Sequence, residues 1–169
     1  MTKVITSVLL LLSLNLFAAL IDNSSNSGAT EYKNGLMEHQ KGNAVLASEH
    51  YTKACKSGNM PGCTNLGILY FTGDGVEENP KKAKKILTKA CKNRHAKACY
   101  HLGSIYKRGA DGIEKNIRKS RMFYAMGCKI GYAKSCDQYN LIREKRETIG
   151  SGAEVKDLGY TYTTEIYGG

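Results

Sequence analysis

Apolar and small residues fall on two helical stripes, and the same two stripes recur down the chain. Ala83, Leu87, Ala90 and Cys91 keep the spacing of one helix face; Cys63, Leu66, Gly67 and Tyr70 keep that of another. A Gly-rich segment after Tyr70 breaks the second stripe. Asn79-Pro80 opens the next helix, since Pro is tolerated in a first turn. The pattern predicts seven helices, over about 30–41, 43–57, 60–72, 80–93, 95–108, 116–130 and 132–148. Gly67 and Gly103 sit in mid-helix, where each costs about 1 kcal/mol against Ala. A Gly at the same place in two copies points to close approach of helix backbones.

Self-comparison makes the recurrence explicit. Thr52-Lys53-Ala54-Cys55 returns unchanged as Thr88-Lys89-Ala90-Cys91, and a weaker copy ends Ala125-Met126-Gly127-Cys128. Cys63-x-x-Leu66-Gly67-x-x-Tyr70 returns as Cys99-x-x-Leu102-Gly103-x-x-Tyr106. The third copy keeps Cys136 but places Tyr139, Asn140 and Arg143 next, as expected of a terminal unit with no successor to pack on. Gly109-Ala110-Asp111-Gly112-Ile113 carries one residue more than Gly73-Asp74-Gly75-Val76. Gly35, Gly42, Ala47, Tyr51 and Ala54 fit a tetratricopeptide-like first unit without a Cys in its first helix, which reads as an N-terminal cap.

The two ends have a different pattern. Lys3 is the only charge before Asp22, Val4 to Leu16 is nearly unbroken apolar sequence, and Ala18-Ala19 follows. This reads as a signal peptide over residues 1–19, too short in its apolar run for the roughly 20 residues that span a bilayer. Residues 20–28 read as a disordered polar linker, 29–148 as the repeat solenoid and 149–169 as a flexible tail. An exported protein, periplasmic or secreted, is expected.

Charge narrows the partners without choosing one. The chain carries 25 Lys and Arg against 15 Asp and Glu, a formal net charge of +10. That favours acidic surfaces. No basic-aromatic motif of nucleic-acid binding stands out, and no nucleic-acid function is expected. Lys81, Lys85, Lys89 and Lys92 form a stripe on the helix over 80–93, which is either a solvated face or a dock for an anionic surface.

Six Cys form three pairs with one spacing: 55/63, 91/99 and 128/136. Each pair brackets a short turn between antiparallel helices, a geometry within reach of the roughly 4.4–6.8 Å Cα separation a disulfide needs. Local disulfides 55–63, 91–99 and 128–136 are therefore expected, in keeping with export. The alternatives are reduced core thiols and zinc. Zinc sites prefer two to four residues between Cys ligands and four ligands together, which pairs one repeat apart do not supply. No metal and no cofactor is expected.

The run Tyr-Thr-Lys-Ala-Cys, seven residues, Cys-x-x-Leu-Gly-x-x-Tyr, then Gly-x-Gly-Val resembles the Sel-one-like repeat, and the paired Cys resemble those of the Helicobacter cysteine-rich protein family. The resemblance covers about residues 29–148 and departs at Arg94, where the sister turns have Gly58 and Gly131. It implies an all-α fold: a right-handed α/α solenoid of tetratricopeptide-like helix-turn-helix repeats stapled by disulfides. It also implies one of two functions. One is binding of peptides, proteins or cell-wall fragments, β-lactams among them, by a monomer. The other is β-lactamase activity.

The residues themselves offer little catalytic machinery. A serine β-lactamase combines Ser-x-x-Lys with Ser-Asp-Asn and Lys-Thr-Gly elements. Only the first occurs, as Ser104-Ile105-Tyr106-Lys107, and about one such pair is expected by chance in a chain of this composition. With Leu102 and Gly103 buried, His101, Ser104, Lys107 and Arg108 point to the concave side and form a candidate carboxylate site, unless they are simply an ordinary polar helix face. Asn65, Ile68, Phe71 and Thr72, the matching positions one unit earlier, would extend it as a mixed polar and apolar groove. No catalytic residue is assigned, and the four His form no metal-hydrolase motif.

Overall fold

The computed structural model describes residues 27–149, with side chains through Arg143. The signal-peptide reading of 1–19, the linker reading over 20–26 and the tail reading from 150 onward lie outside the described residues; Ile149, read as the first residue of the tail, ends the last helix. Within them the chain is a row of antiparallel helices: α1 (27–40), α2 (Ala44–Lys56), α3 (Met60–Thr72), α4 (Pro80–Lys92), α5 (Ala96–Arg108), α6 (Ile117–Lys129) and α7 (Ala133–Ile149). Helix α1 already includes Ser27 and Gly28, which the sequence reading assigns to the end of the linker. The fold is an α/α solenoid, each helix packing mainly on its chain neighbours.

Local chemistry sets the helix starts. Asn59, Asn79 and Asn116 accept hydrogen bonds on their side chains from the amides of Gly62, Lys82 and Lys119, at 2.8, 2.9 and 2.9 Å. Each such N-cap is worth about 1 kcal/mol. Pro61 and Pro80 stand in first turns, where no intrahelical N–H is lost. The long loops are closed by one repeated backbone bond, from Asn79 N to Tyr70 O at 2.7 Å and from Asn116 N to Tyr106 O at 2.8 Å. The extra residue of the second loop is absorbed in a small bridge between Ala110 and Ile113, and Ile113 is buried.

Two kinds of interface alternate. Within a repeat, a mid-helix Gly faces a large side chain of the next helix. A Cβ on Gly35 would stand 2.6 Å from the Tyr51 ring, one on Gly67 2.7 Å from Leu87 Cγ, and one on Gly103 2.6 Å from the Tyr124 ring. Tyr51, Leu87 and Tyr124 are all fully buried, so these glycines are the sockets into which the core's largest groups fit. Between repeats, a three-residue turn and a disulfide join the helices. Cys55–Cys63, Cys91–Cys99 and Cys128–Cys136 hold their Cα atoms 4.4, 4.8 and 4.6 Å apart. Among the described residues no Cys is free.

The turn residues repeat as well. Gly58, Arg94 and Gly131 all have positive φ, at 80°, 60° and 106°. Arg94 therefore takes the left-handed conformation that its two sister turns give to Gly. For a residue with a Cβ this costs roughly 1–2 kcal/mol; backbone bonds from Arg94 N to Cys91 O at 2.9 Å and from His95 N to Ala90 O at 3.0 Å close the turn around it.

Gly103→Ala is expected to lower stability by about 1–3 kcal/mol, because overpacking against Tyr124 outweighs the gain in helix propensity. Thermal unfolding of the purified variant beside the parent checks this; an unchanged or raised midpoint would contradict the socket account.

Candidate functional site

The odd-numbered helices approach one another more closely than the even-numbered ones: α3 meets α5, and α5 meets α7. That puts α3, α5 and α7 on the inner side of the solenoid's curve. Every candidate residue lies on α3 or α5.

The structure brings some of these residues together and ties others down. Arg108 lies over the Phe71 ring, 5.4 Å from its centroid, so the two helices share a cationic and aromatic contact. Asn65 is half-buried, two residues after Cys63. Ile68 is half-buried and Thr72 exposed, its hydroxyl donating to Ile68 O at 3.1 Å.

Ser104 and Lys107 share a helix face but hold different partners. The Ser104 hydroxyl donates to Tyr100 O at 3.2 Å and lies 3.0 Å from the hydroxyl of buried Tyr124. Lys107 Nζ reaches across to Gln138 Oε1 on α7 at 2.8 Å. A serine nucleophile needs a base on its hydroxyl; here the hydroxyl's neighbours are a carbonyl and a phenol. With every Cys of the described residues in a disulfide, a thiolate nucleophile is absent from them too.

His101 sits edge-on to Tyr100, with ring centroids 5.3 Å apart. Burial lowers its pKa from the ordinary 6.5 to about 4, with the nearby charges of Lys97 and Arg108 adding to the effect. It is therefore a neutral ring at pH 7, and the positive charge of the face comes from Lys107 and Arg108. His95 Nδ1 lies 2.7 Å from the buried Thr64 hydroxyl, and its pKa too is lowered, chiefly by burial.

Gln138 completes the face, and from α5 Tyr100 joins an aromatic cluster that runs to α6 and the α6–α7 turn; the sequence reading missed both. Tyr100 packs on Tyr124 at 5.6 Å and Tyr132 at 5.4 Å. The signal for Gln138 was present: Asn65, His101 and Gln138 each stand two residues after the second Cys of their pair. The third copy looked degenerate because its Leu-Gly positions had changed, and this polar position was overlooked with them. Among the described residues no group of three or more His, Cys, Asp or Glu could hold a metal ion.

The Sel1 repeat family model matches residues 27–59, 61–95 and 96–132. A 48-residue stretch is 40% identical to the Helicobacter pylori protein named "Putative beta-lactamase HcpC", covering 28% of this chain and 17% of that protein. The chain thus matches well under two thirds of that relative's length. A Sel1 repeat protein structure from Oxalobacter formigenes aligns with a TM-score of 0.65 at 23% identity, over 76% of this chain and 52% of that one. The structure of Helicobacter pylori cysteine rich protein B aligns with a TM-score of 0.50 at 27% identity, over 54% of this chain and 68% of that one.

A histidine held neutral in the fold binds fewer protons than the same residue in the unfolded chain. Stability tied to His101 is therefore fully present above its unfolded value of 6.5 and falls as pH drops toward the folded value of about 4. Unfolding midpoints measured from pH 7.5 to 4 are expected to decline over this window, and less steeply in His101→Gln; parallel profiles would remove His101 as a cause.

Proposed function

The chain belongs to the Sel1 repeat family, and on that premise we propose that it is an exported scaffold that binds a peptide-like ligand carrying a carboxylate on the face of α3, α5 and α7. Three disulfides suit an oxidising compartment. No helix among the described residues is long and apolar enough to cross a membrane.

The observation that carries this reading is the contact of Arg108 with Phe71. It joins a cation, an aromatic surface and the half-buried Ile68 across two repeats, and Lys107 stands next to Arg108. An extended peptide needs such a mixture: apolar area for its side chains and a fixed positive charge for its acidic group. Cell-wall peptides and β-lactams share the carboxylate and belong to the same ligand chemistry.

The rival reading is β-lactam hydrolysis, drawn from the name of the Helicobacter pylori relative. The partners of Ser104 weigh against it, because its hydroxyl is engaged with Tyr100 and Tyr124 instead of a base. A ligand held by charge and shape alone is bound and released unchanged.

The test is binding of a panel of labelled short peptides with free carboxylates, cell-wall peptides among them, by fluorescence anisotropy. Phe71→Ala and Arg108→Ala are each expected to weaken binding by roughly tenfold; exposed Arg108→Ala should leave the unfolding temperature nearly unchanged, while Phe71→Ala lowers it because the ring also packs on the core. Nitrocefin turnover by the same oxidised samples is expected to be indistinguishable between parent and Ser104→Ala. Binding that ignores both substitutions would overturn the scaffold reading, and Ser104-dependent turnover would establish the rival.

A further inference from the structure

The disulfide-bearing edge of the solenoid is a continuous cationic rim. All three inter-repeat turns lie on this edge, because α2, α4 and α6 run parallel and end there. Contacts between the helix ends and turns along this edge tie neighbouring repeats together. A Cβ on Gly28 would meet Ser57, Thr64 bonds His95, and a Cβ on Gly127 would meet the carbonyl of Ala96.

The segments 52–62, 88–98 and 125–135 build this rim, and none contains Asp or Glu; exposed Asp137, next to Cys136, is the acidic residue just beyond the third. Lys56, Lys92 and Lys129 stand in equivalent places, each directly after the first Cys of its pair, and all are exposed. Arg94 at the second turn and Lys97 and Lys134 in the following helices are exposed as well. The opposite edge differs: its long loops hold Asp74, Glu77, Glu78, Asp111 and Glu114 among their basic residues. The net charge of the chain is thus concentrated along one edge. Complementing the carboxyl ends of the three helices explains Lys53 and Lys56, Lys89 and Lys92, and Lys129. It does not explain basic residues within the turn or at the start of the next helix, where the helix dipole disfavours them.

We propose that this rim binds a linear acidic polysaccharide, a sulfated or carboxylated glycan chain lying across the three turns. Lys56, Lys92 and Lys129, at equivalent places in successive repeats, form a row that a polymer of regularly spaced charges can follow. The exposed large apolar residues, Met37, Val45, Leu46, Ile117 and Leu141, all lie off these three segments, so the rim lacks the apolar face that interfacial lipid binding uses. Nor do the segments hold an exposed aromatic side chain on which single-stranded bases would stack. The three disulfides suit an oxidising compartment.

Heparin oligosaccharide serves as the probe, with the oxidised protein at about 150 mM salt. Lys56→Gln, Lys92→Gln and Lys97→Gln combined are expected to weaken binding by roughly tenfold to a hundredfold. Lys81→Gln, Lys115→Gln and Arg118→Gln, a triple change of equal net charge near the opposite edge, are expected to weaken it less than about threefold. Amine acetylation of the unaltered protein supplies a readout that needs no variant: heparin should shield Lys56, Lys92 and Lys97 and leave Lys81 and Lys115 reactive. Equal losses in the two triples, or uniform shielding, would reduce the rim to net charge and overturn the proposal. So would absence of heparin binding, or tighter binding to phosphatidylglycerol vesicles or to single-stranded DNA.

Discussion

A helix pair of this size cannot bury its apolar stripe alone, and each disulfide fixes the joint at which one pair would otherwise swing against the next. The closed loop is short, so in the chain-entropy account each bond contributes about 2.5 kcal/mol. Its position matters as much as its energy. The bonds join α2 to α3, α4 to α5 and α6 to α7, each across a three-residue turn with one left-handed residue, Gly58, Arg94 or Gly131. With these joints fixed, the within-repeat interfaces need only match one socket glycine to one large group. The core is accordingly a band of small clusters along the solenoid instead of one centre.

The two edges and the inner face follow from that frame. Fixed joints hold α3, α5 and α7 side by side, and only then do side chains one repeat apart meet, as Arg108 meets Phe71 and Lys107 meets Gln138. The same joints align three short basic turns into a rim. Peptide recognition on the inner face and glycan recognition on the rim would use different residues of one rigid body, without competing for space.

Much of this was legible in the chain. The recurrence of Thr-Lys-Ala-Cys and Cys-x-x-Leu-Gly-x-x-Tyr carried the repeat, the helix order and the family, because each copy must solve the same packing problem. Mid-helix Gly67 and Gly103 announced close approach, though not the Leu87 and Tyr124 side chains that fill the space. From α2 onward helix starts were legible to within a residue, because Asn caps and first-turn Pro act locally; α1 begins three residues before the expected 30. Across-repeat contacts were not, since they depend on the angle between repeats, which no local pattern encodes. Ser104-x-x-Lys107 shows the limit: its spacing on one helix is the same whether the hydroxyl meets a lysine or, as here, a buried tyrosine.

The central claim is that the cysteines are structural joints, and urea unfolding of the oxidised and fully reduced protein tests it most directly. Removing three bonds worth about 2.5 kcal/mol each takes away much of the roughly 5–15 kcal/mol a domain possesses. The account predicts that the reduced chain unfolds at far lower urea, or is already unfolded without it. A reduced protein that keeps the oxidised midpoint would contradict the account.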